Sequence, residues 1–334
     1  MKVTMTDVAH LAGVSSKTVS RVINKERYVC VIKQEKVLQA VKTLNYQPSV
    51  TARQLRGAAS SIGFVYDNPN SHYIIELQNG ILDVCLENGL ELFIRPCKAA
   101  SLTICEDIIT MVRRSRMAGL VLTPPLSEMP ELLSALDENN ICYVKIISGN
   151  SSDDERTICI DDFKAAADLT QYLIDLGHKD IAFLQGDMSH GSAKQRLAGY
   201  LATLNENSID ENEAFIIEGA FSFESGVERA FQLLTLENKP TAIFACNDEI
   251  AAGCLFTAGF MSIQVPKQLS IVGFEDSPFS RQALPQLTTA KQSNKDIAAA
   301  ATQLLIPLIR KNTKPKSRVF TPELILRDST CPIE

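Results

Sequence analysis

Strand-like and helix-like segments alternate along most of this chain, in two successive rounds that begin near Ser61 and Thr157. The first round contains the strand-like segments SIGFVY, LELFIRP, GLVLT and CYVKII, separated by segments with helical spacing. The second round contains TICI, DIAFLQG, AFIIEG, TAIFAC and LSIVGF. Alternation of this kind is typical of parallel sheets covered by helices. The body of the chain is therefore predicted to be α/β, with two doubly wound parallel-sheet subdomains.

Nothing in either round predicts a bound nucleotide phosphate. The chain contains neither G-x-G-x-x-G after a first strand nor G-x-x-x-x-G-K-[ST], so the usual phosphate-binding loops are not indicated. Ligands of doubly wound sheets bind at the carboxyl ends of the strands. Two such sheets facing each other predict a ligand-binding cleft between the subdomains.

Side chains just beyond the strand ends are the candidates for lining this cleft. They combine aromatic rings, carboxylates, an amide and a guanidinium, which suits a sugar, because its C–H faces stack on rings and its hydroxyls accept paired hydrogen bonds. The selected effector-binding residues are Tyr73, Thr123, Asp161, Arg196, Phe221, Asn247 and Glu275, with Asp162, Asp248 and Asp276 adjacent to members of the set. Structural alternatives stay open, since an Asp after a strand often caps a helix and Tyr73 or Phe221 also fits a core.

The first 60 residues differ from the rest of the chain in charge. Their ten Lys and Arg against three Asp and Glu give a net +7, whereas the other 274 residues carry −13, for a chain total of −6. A basic segment is attracted to a polyanion, and an acidic body is repelled from it. The asymmetry indicates a nucleic-acid partner, although locally basic surfaces are common.

Three short amphipathic helices are predicted in the basic segment. Thr4 and Asp7 have N-cap spacing, Gly13 ends the first helix, and Ser15 caps the second. A third helix is predicted from Gln34 to Leu44. The first two helices, joined by a glycine-containing turn, predict a helix-turn-helix unit.

The polar face of the second helix is the predicted DNA-reading surface. Helical geometry places Ser16, Lys17, Ser20 and Arg21 together on that face. Lys17 and Arg21 can donate to guanine O6 and N7 in the major groove, and the serines can reach base edges or phosphates. The alternative is a three-helix cap whose polar face is only solvated.

A short hinge helix is predicted in NYQPSVTARQLRG, residues 45–57, between Pro48 and Gly57. A helix of about eight residues is marginal in water, so this one should order only against a partner. Arg53 and Arg56 can contact phosphates, and Leu55 can wedge between base pairs in the minor groove. A proline-bounded linker is the simpler alternative.

The segments VTMTDVAHLAGVSSKTVSRVIN and NYQPSVTARQLR resemble the DNA-binding head and hinge helix of the lactose-repressor (LacI/GalR) family of bacterial regulators, and the resemblance covers the whole chain. It implies base-reading roles for Ser16, Lys17 and Arg21, and minor-groove roles for Ala52 and Leu55. The DNA-binding residues expected on these grounds are Thr4, Ser15, Ser16, Lys17, Thr18, Ser20, Arg21, Asn24, Ala52, Arg53 and Leu55.

The resemblance also covers the effector side of the chain. SAKQRLAGY resembles the family segment whose Arg binds effector, here Arg196, and ACNDEIAAG resembles the one that supplies an Asn, here Asn247. LPQLTTAKQ and IAAAATQLLIPLI resemble the crossover strand and a helix of the first subdomain. The resemblance therefore implies several chain crossings between the subdomains, which permit hinge closure without unfolding.

Two segments depart from the family pattern. VGFEDSPF has Glu275 where an Asp normally stands, so either the pocket takes a different sugar or Asp276 makes the contact. RYVCVIKQEK has Cys30 where a Ser usually caps the third helix, and Lys33-Gln34 where Thr-Arg is common. The cap and one phosphate contact are the features that these changes affect.

The domain organisation expected from these segments has three parts. It comprises a helix-turn-helix domain at 1–47, a hinge helix and linker at 48–60, and an effector-binding and dimerisation domain at 61–334. The last part divides into subdomain one, about 61–160 and 292–320, and subdomain two, about 161–289 and 321–334.

A DNA-binding transcriptional regulator that responds to a small molecule explains head, hinge and cleft together. It is expected to be a homodimer on a pseudo-palindromic double-stranded operator, a repressor of sugar-utilisation genes, and controlled by a sugar-like effector. A nucleoside or purine is the alternative effector. A sugar-binding uptake protein should carry a secretory signal instead of a helix-turn-helix, and a sugar-active enzyme lacks support, because Glu275 and Asp276 are sequence neighbours instead of a facing pair.

The remaining expectations concern location and cofactors. The first 25 residues contain polar side chains where a signal peptide needs an apolar stretch, and no segment approaches the length of a membrane span. A cytoplasmic protein without membrane association is expected. Its nine cysteines never occur as C-x-x-C, which favours reduced thiols. No metal or other cofactor is expected.

Overall fold

The computed structural model describes residues 3–23, 29–44, 46, 61–67, 71–150, 154–310 and 316–333. The chain separates into two compact units, Met1–Ser60 and Ser61–Glu334. Asn24 and the predicted hinge residues Ala52, Arg53 and Leu55 lie outside the described residues. Within the described ranges, no helix has the length and apolar character required to cross a membrane.

Three helices form the first unit, namely α1 (Met5–Ala12), α2 (Ser16–Ile23) and α3 (Val31–Thr43). A reciprocal capping box opens α1, because Asp7 N donates to Thr4 Oγ1 and Thr4 N donates to Asp7 Oδ2. Gly13 ends this helix with a left-handed φ of 65°. The third helix begins at Val31, earlier than predicted, and its N-cap Cys30 makes no side-chain cap hydrogen bond, since a thiol is a weak acceptor.

The apolar faces of these three helices meet in one small core. Val8, Val19 and Val37, one from each helix, have no solvent exposure. Burying Val19 and Val22 on one side of α2 leaves the opposite side of that helix to solvent, as the helical spacing predicts.

Two sheets and the helices around them form the second unit, which confirms the α/β prediction. The strands are β1 (Ser61–Tyr66), β2 (Glu91–Pro96), β3 (Gly119–Leu122), β4 (Tyr143–Ser148), β5 (Thr157–Ile160), β6 (Ile181–Leu184), β7 (Ile216–Ile217), β8 (Ala242–Ala245), β9 (Ser270–Glu275), β10 (Thr288–Lys291), β11 (Arg318–Phe320) and β12 (Glu323–Ile325). The helices are α4 (Ser71–Asn88), α5 (Ile104–Ser115), α6 (Pro130–Glu138), α7 (Asp162–Asp175), α8 (Gly191–Glu206), α9 (Phe223–Leu234), α10 (Asp248–Phe260), α11 (Pro278–Gln282) and α12 (Asn294–Arg310).

The first subdomain is built on a parallel sheet whose described strands lie in the order β11, β5, β4, β3, β1, β2. Ile81 of α4 and Ala301 of α12 belong to one core on this sheet, while Ile108 of α5 and Leu132 of α6 belong to another. The inner strands β1, β3 and β5 are almost entirely buried, because helices cover both faces of the sheet, whereas the edge strand β2 is largely exposed.

The second subdomain has the strand order β12, β10, β9, β8, β6, β7, parallel except for β12, which is antiparallel to β10. Phe183 of β6 is at its centre, with ring centroids 5.0 Å from Tyr200 and 4.9 Å from Phe244. The predicted strand AFIIEG contributes only Ile216–Ile217, after a 3₁₀ turn at Glu213–Phe215.

Among the described residues, the chain passes between the two sheets at three places. These connections follow β5, β10 and β11. Each sheet therefore contains strands or a helix from distant parts of the sequence, and several chain connections of this kind permit hinge closure. The carboxyl ends of the strands next to these connections carry the side chains of the cleft.

Candidate effector site and DNA-reading face

A pocket of about 560 Å³, open space at its mouth included, lies between the two subdomains. The residues that line it are Tyr73, Pro124, Ile147, Ser148, Ile160, Asp162, His190, Ser192, Arg196, Phe221, Asn247, Glu275 and Gln292. Most of them follow strand ends, as expected for doubly wound sheets.

Five of the seven predicted effector residues lie on this wall, namely Tyr73, Arg196, Phe221, Asn247 and Glu275. Thr123 is fully buried behind it, and its neighbour Pro124 lines the pocket instead. Asp161 does not line the pocket, because its carboxylate accepts from Lys164 N at 3.0 Å and caps α7. The next residue, Asp162, lies on the wall in its place.

A buried ion pair of Arg196 and Asp162 forms the floor of the pocket. Arg196 Nε donates to Asp162 Oδ1 at 2.8 Å, and its other nitrogens donate to the Cys246 carbonyl (2.6 Å) and to Gln292 Oε1 (3.3 Å). The guanidinium carbon lies 3.7 Å from the ring centroid of Phe274. Burial alone would lower the pKa of Arg196, but the adjacent carboxylate outweighs it and raises the pKa. This arginine is therefore held rigidly, with few donors left for an effector.

Asn247 presents an unpaired donor to the pocket. Its Oδ1 accepts from Ile250 N at 2.9 Å, which makes Asn247, and not Asp248, the cap of α10. Its Nδ2 is buried and has no hydrogen-bond partner among the described residues. An unsatisfied buried amide costs on the order of 1 to 3 kcal/mol, so an acceptor supplied by a ligand would be favourable.

Glu275 presents an acceptor to the same pocket. Its carboxyl accepts no hydrogen bond from the described residues, and withdrawal from water raises its pKa to about 8, against the opposing charge of Arg196. The backbone is strained there, with φ values of 109° at Glu275 and 56° at Asp276. Asp276 is engaged elsewhere, since Arg327 Nη2 donates to its Oδ1 at 2.6 Å. Glu275 is thus the acid that faces the pocket.

Two aromatic residues in contact with each other also line the pocket. The rings of Phe221 and His190 meet edge to face, with centroids 5.7 Å apart. Burial lowers the pKa of His190, which favours the neutral ring despite nearby Asp187 and Glu128. Phe221 lies directly on Gly186, where a Cβ atom would come 2.1 Å from the ring. The exposed side of Phe221 is a flat apolar surface suited to stacking.

Sequence reasoning missed several members of the wall. His190, Ser148, Ser192 and Gln292 were not selected, although each lies at or just beyond the end of a strand or at the start of a helix. For Ser192 and His190 a signal was available, since His190 is the N-cap and Ser192 the second residue of α8, the helix that carries Arg196.

The α2 surface divides the predicted DNA-binding residues into two groups. Ser16, Lys17 and Arg21 are exposed, on the side opposite buried Val19 and Val22. Thr4 and Ser15 serve as local caps, since Asp7 N donates to Thr4 Oγ1 and Thr18 N donates to Ser15 Oγ at 3.2 Å. The Thr18 hydroxyl is also hydrogen-bonded to Ser15 Oγ, at 3.0 Å. Ser20 is half-buried. Two long cationic side chains on one exposed helix face have the arrangement needed to reach base edges.

Comparisons with known proteins agree on both parts of the chain. Residues 4–49 match the family described as bacterial regulatory proteins, lacI family, and residues 170–330 match a periplasmic binding protein-like domain. The HTH-type transcriptional repressor PurR of Pasteurella multocida (strain Pm70) is 33% identical over 331 residues, covering 98% of each chain. The protein of that name from Actinobacillus pleuropneumoniae serotype 3 (strain JL03) is 34% identical over 330 residues, with the same coverage.

Solved structures match over the full length as well. The lac repressor dimer bound to operator and the anti-inducer ONPF has a TM-score of 0.78 at 27% identity, covering 99% of this chain and 100% of that one. The complex of the transcriptional regulator CelR with cellobiose has a TM-score of 0.73 at 26% identity, covering 98% of this chain and 99% of that one.

Proposed function

Given that this chain belongs to the lacI family of bacterial regulatory proteins and is a DNA-binding transcriptional repressor, not an enzyme, we propose that a sugar bound in the Phe221 pocket controls its affinity for operator DNA. The site of action is the cytoplasm, and the target is a set of sugar-utilisation genes.

The juxtaposition of an unpaired donor, an unpaired acceptor and an apolar ring carries the sugar proposal. Among the described residues, Asn247 Nδ2 has no hydrogen-bond partner and no hydrogen bond ends on the Glu275 carboxyl, and both groups line the pocket together with Phe221. A sugar supplies hydroxyl groups that both accept and donate, together with a C–H face for the ring. The structure of CelR with cellobiose, a relative with the same fold, supports a ligand of this class.

A nucleoside or purine is the second candidate effector. The edge-to-face pair of Phe221 and His190 also suits a planar ring system, and Glu275 could accept from a ring N–H. A sugar needs several contacts to its hydroxyl groups, whereas a nucleobase does not, so a ligand panel separates the two classes.

We further place a homodimer interface on apolar side chains of the second subdomain. Phe256, Phe260 and Leu284 are 57, 77 and 91% exposed, and Phe256, Phe279 and Leu284 line one shallow groove. Large exposed apolar patches mark protein–protein contacts. A second copy of the chain, related by a two-fold axis, would bring two heads to a pseudo-palindromic operator.

In the proposed mechanism, sugar binding alters the angle between the two subdomains about their three connections. That change alters the cost of ordering the hinge segment, residues 48–60, in which Ala52, Arg53 and Leu55 would contact DNA. A coupling of about 1 to 3 kcal/mol is typical of such systems and changes operator occupancy roughly 5- to 150-fold.

A thermal-shift panel tests the effector class directly. Glucose, cellobiose, lactose, ribose, N-acetylglucosamine, glucose 6-phosphate, adenosine and guanine are each added to the full chain. A neutral sugar at about 100 times its dissociation constant should add about 2.7 kcal/mol of stability, and Asn247→Ala should reduce that gain. Stabilisation by adenosine or guanine alone would replace the sugar with the second candidate, and no ligand response from any member, with operator affinity unchanged by all, would contradict effector control.

A further inference from the structure

Arg229 on α9 is a buried cation with no acidic partner among the described residues. Its exposure is 3%, and every hydrogen bond that the structure gives it ends on a main-chain carbonyl. Burial lowers the pKa of Arg229, in contrast to Arg196, whose carboxylate partner raises its pKa. Holding an unpaired guanidinium inside a protein is costly, so this arginine needs an explanation beyond core packing.

The carbonyls bound by Arg229 belong to the two sides of one aromatic contact. Its Nη1 donates to the Gln185 carbonyl at 2.6 Å, and its Nη2 donates to the Ala220 carbonyl at 3.1 Å. Gln185 is joined by that peptide group to Gly186, and Ala220 by the other to Phe221. The single guanidinium therefore bridges the peptide unit that precedes Phe221 and the peptide unit that precedes the glycine on which the Phe221 ring lies.

Further contacts fix the same segment. Arg229 Nη1 also donates to the Ile217 carbonyl at 3.1 Å, at the end of β7, and its Nε donates to the Ser225 carbonyl at 2.9 Å within α9. The loop between β7 and α9 is thus tied at both ends and at Ala220. Gly219 permits this close approach, since a Cβ there would come 2.7 Å from the guanidinium carbon.

We propose that Arg229 is a positioning residue of the effector pocket, which holds the Phe221 ring against Gly186 in the orientation that a ligand stacks on. The effect on ligand binding rests on the proposed function, whereas the effect on the ring is independent of any ligand. Arg229 touches no effector itself. Arg229 holds the Phe221 ring in one orientation before a ligand binds, and this lowers the conformational-entropy cost of binding.

The chain contains no tryptophan, so Phe221→Trp introduces a single fluorescent reporter at the ring position. Arg229→Met, of similar length but without donors, is then added in that background. The expected result is a more mobile and more solvated indole, seen as lower fluorescence anisotropy, stronger acrylamide quenching and a red-shifted emission maximum. These signatures do not change if Arg229 only stabilises the fold.

Arg327→Met is the matched control. Arg327 is also a largely buried arginine of the second subdomain and also donates to a main-chain carbonyl, that of Leu287 at 2.9 Å, but it contacts neither Phe221 nor its loop. The reporter should be unchanged by this substitution at temperatures where both variants remain folded. Equal reporter responses to the two substitutions, or none to Arg229→Met, would overturn the proposal.

A second variant covers the case in which Arg229→Met does not fold. Gly219→Ala keeps the arginine but places a methyl group against its guanidinium, and it should loosen the reporter in the same direction. With the tightest-binding sugar of the panel, Arg229→Met should weaken affinity roughly 2- to 10-fold in the parent chain and have no effect in a Phe221→Ala background. If no sugar binds, the proposed function fails while the reporter still decides the role of Arg229.

Discussion

Arg196 Nε donates to Asp162 Oδ1 across 2.8 Å, in a pair whose side chains are 4 and 1% exposed. Asp162 also accepts from Ser148 Oγ of the first subdomain at 2.6 Å. The pair therefore connects α8, α7 and the end of β4 at the floor of the pocket. Because the pair is buried, removing either partner leaves the charge of the other buried and unpaired.

Asp162→Ala should lower the free energy of unfolding by about 3 to 5 kcal/mol, because Arg196 is left buried without its carboxylate. Urea unfolding at neutral pH measures this. The exposed pair of Lys164 and Asp168 provides the control, and Asp168→Ala should cost only about 0.3 to 0.5 kcal/mol. Similar losses for both substitutions would contradict the structural role given to Asp162.

Glu275 should make the stability of the protein fall as pH rises. Its pKa is about 8 in the folded chain against an ordinary value of 4.5, so across that interval the unfolded state binds fewer protons than the folded state. The free energy of unfolding must then decrease with rising pH. Glu275→Gln, which keeps the shape and removes the titration, should flatten the dependence measured by urea unfolding between about pH 5 and pH 8.

The exposed Glu131 supplies the comparison for that experiment. Glu131→Gln should leave the pH dependence of wild type unchanged. Parallel curves for wild type and Glu275→Gln would show that Glu275 titrates normally, and the proposed acceptor would then be an ordinary solvated carboxylate.

Glu128 should stabilise the contact between the subdomains. It follows β3 of the first subdomain, and its Oε2 accepts from Gly191 N at 3.1 Å, at the amino terminus of α8 in the second. The N-cap His190 offers that helix no side-chain cap, so Glu128 caps it from across the cleft. Glu128→Ala should remove about 1 kcal/mol of cap energy and increase the radius of gyration of the ligand-free protein in small-angle X-ray scattering.

Glu131→Ala, a nearby exposed acid on α6, is the control for the scattering measurement. It should not alter the radius of gyration. An unchanged radius in Glu128→Ala, with the helix intact by circular dichroism, would mean that the cross-cleft cap does not hold the subdomains together.

Arg21→Ala should weaken operator binding by about 1 to 3 kcal/mol and relax the preference at one base position. The exposed position of Arg21 on α2 supports a base-edge contact in the major groove. Selection from a randomised duplex library, followed by sequencing, measures both effects. Lys42→Ala, an exposed cation on α3, should leave the selected sequence as it is. An unaltered preference in Arg21→Ala would assign the reading face to other residues.

The fold was predictable because strand and helix periodicities agree with one another over long stretches. The strand-end rule also located Tyr73, Phe221 and Asn247 on the pocket wall. It did not distinguish Asp161 from Asp162, since both follow β5 and only the local turn decides which carboxylate caps α7 and which faces inward.

The roles of Glu128 and Arg229 around the pocket depend on tertiary contacts that have no local sequence signature. Glu128 reaches Gly191 across 63 residues of sequence, and Arg229 reaches Gln185 across 44. A lone Glu after a strand, or an Arg within an amphipathic helix, reads as a solvated surface residue. Only the packing of the two subdomains, and of α9 onto β6, gives these side chains their partners.

The operator dissociation constant of the full chain tests most directly whether the pocket controls operator binding. It is measured by fluorescence anisotropy at fixed salt, with and without a saturating concentration of the tightest-binding sugar. The expected result is a change of roughly 5- to 150-fold in wild type, absent in Phe221→Ala, whose affinity for the operator alone should match that of wild type. A sugar that binds the pocket and leaves the operator dissociation constant unchanged would contradict the coupling.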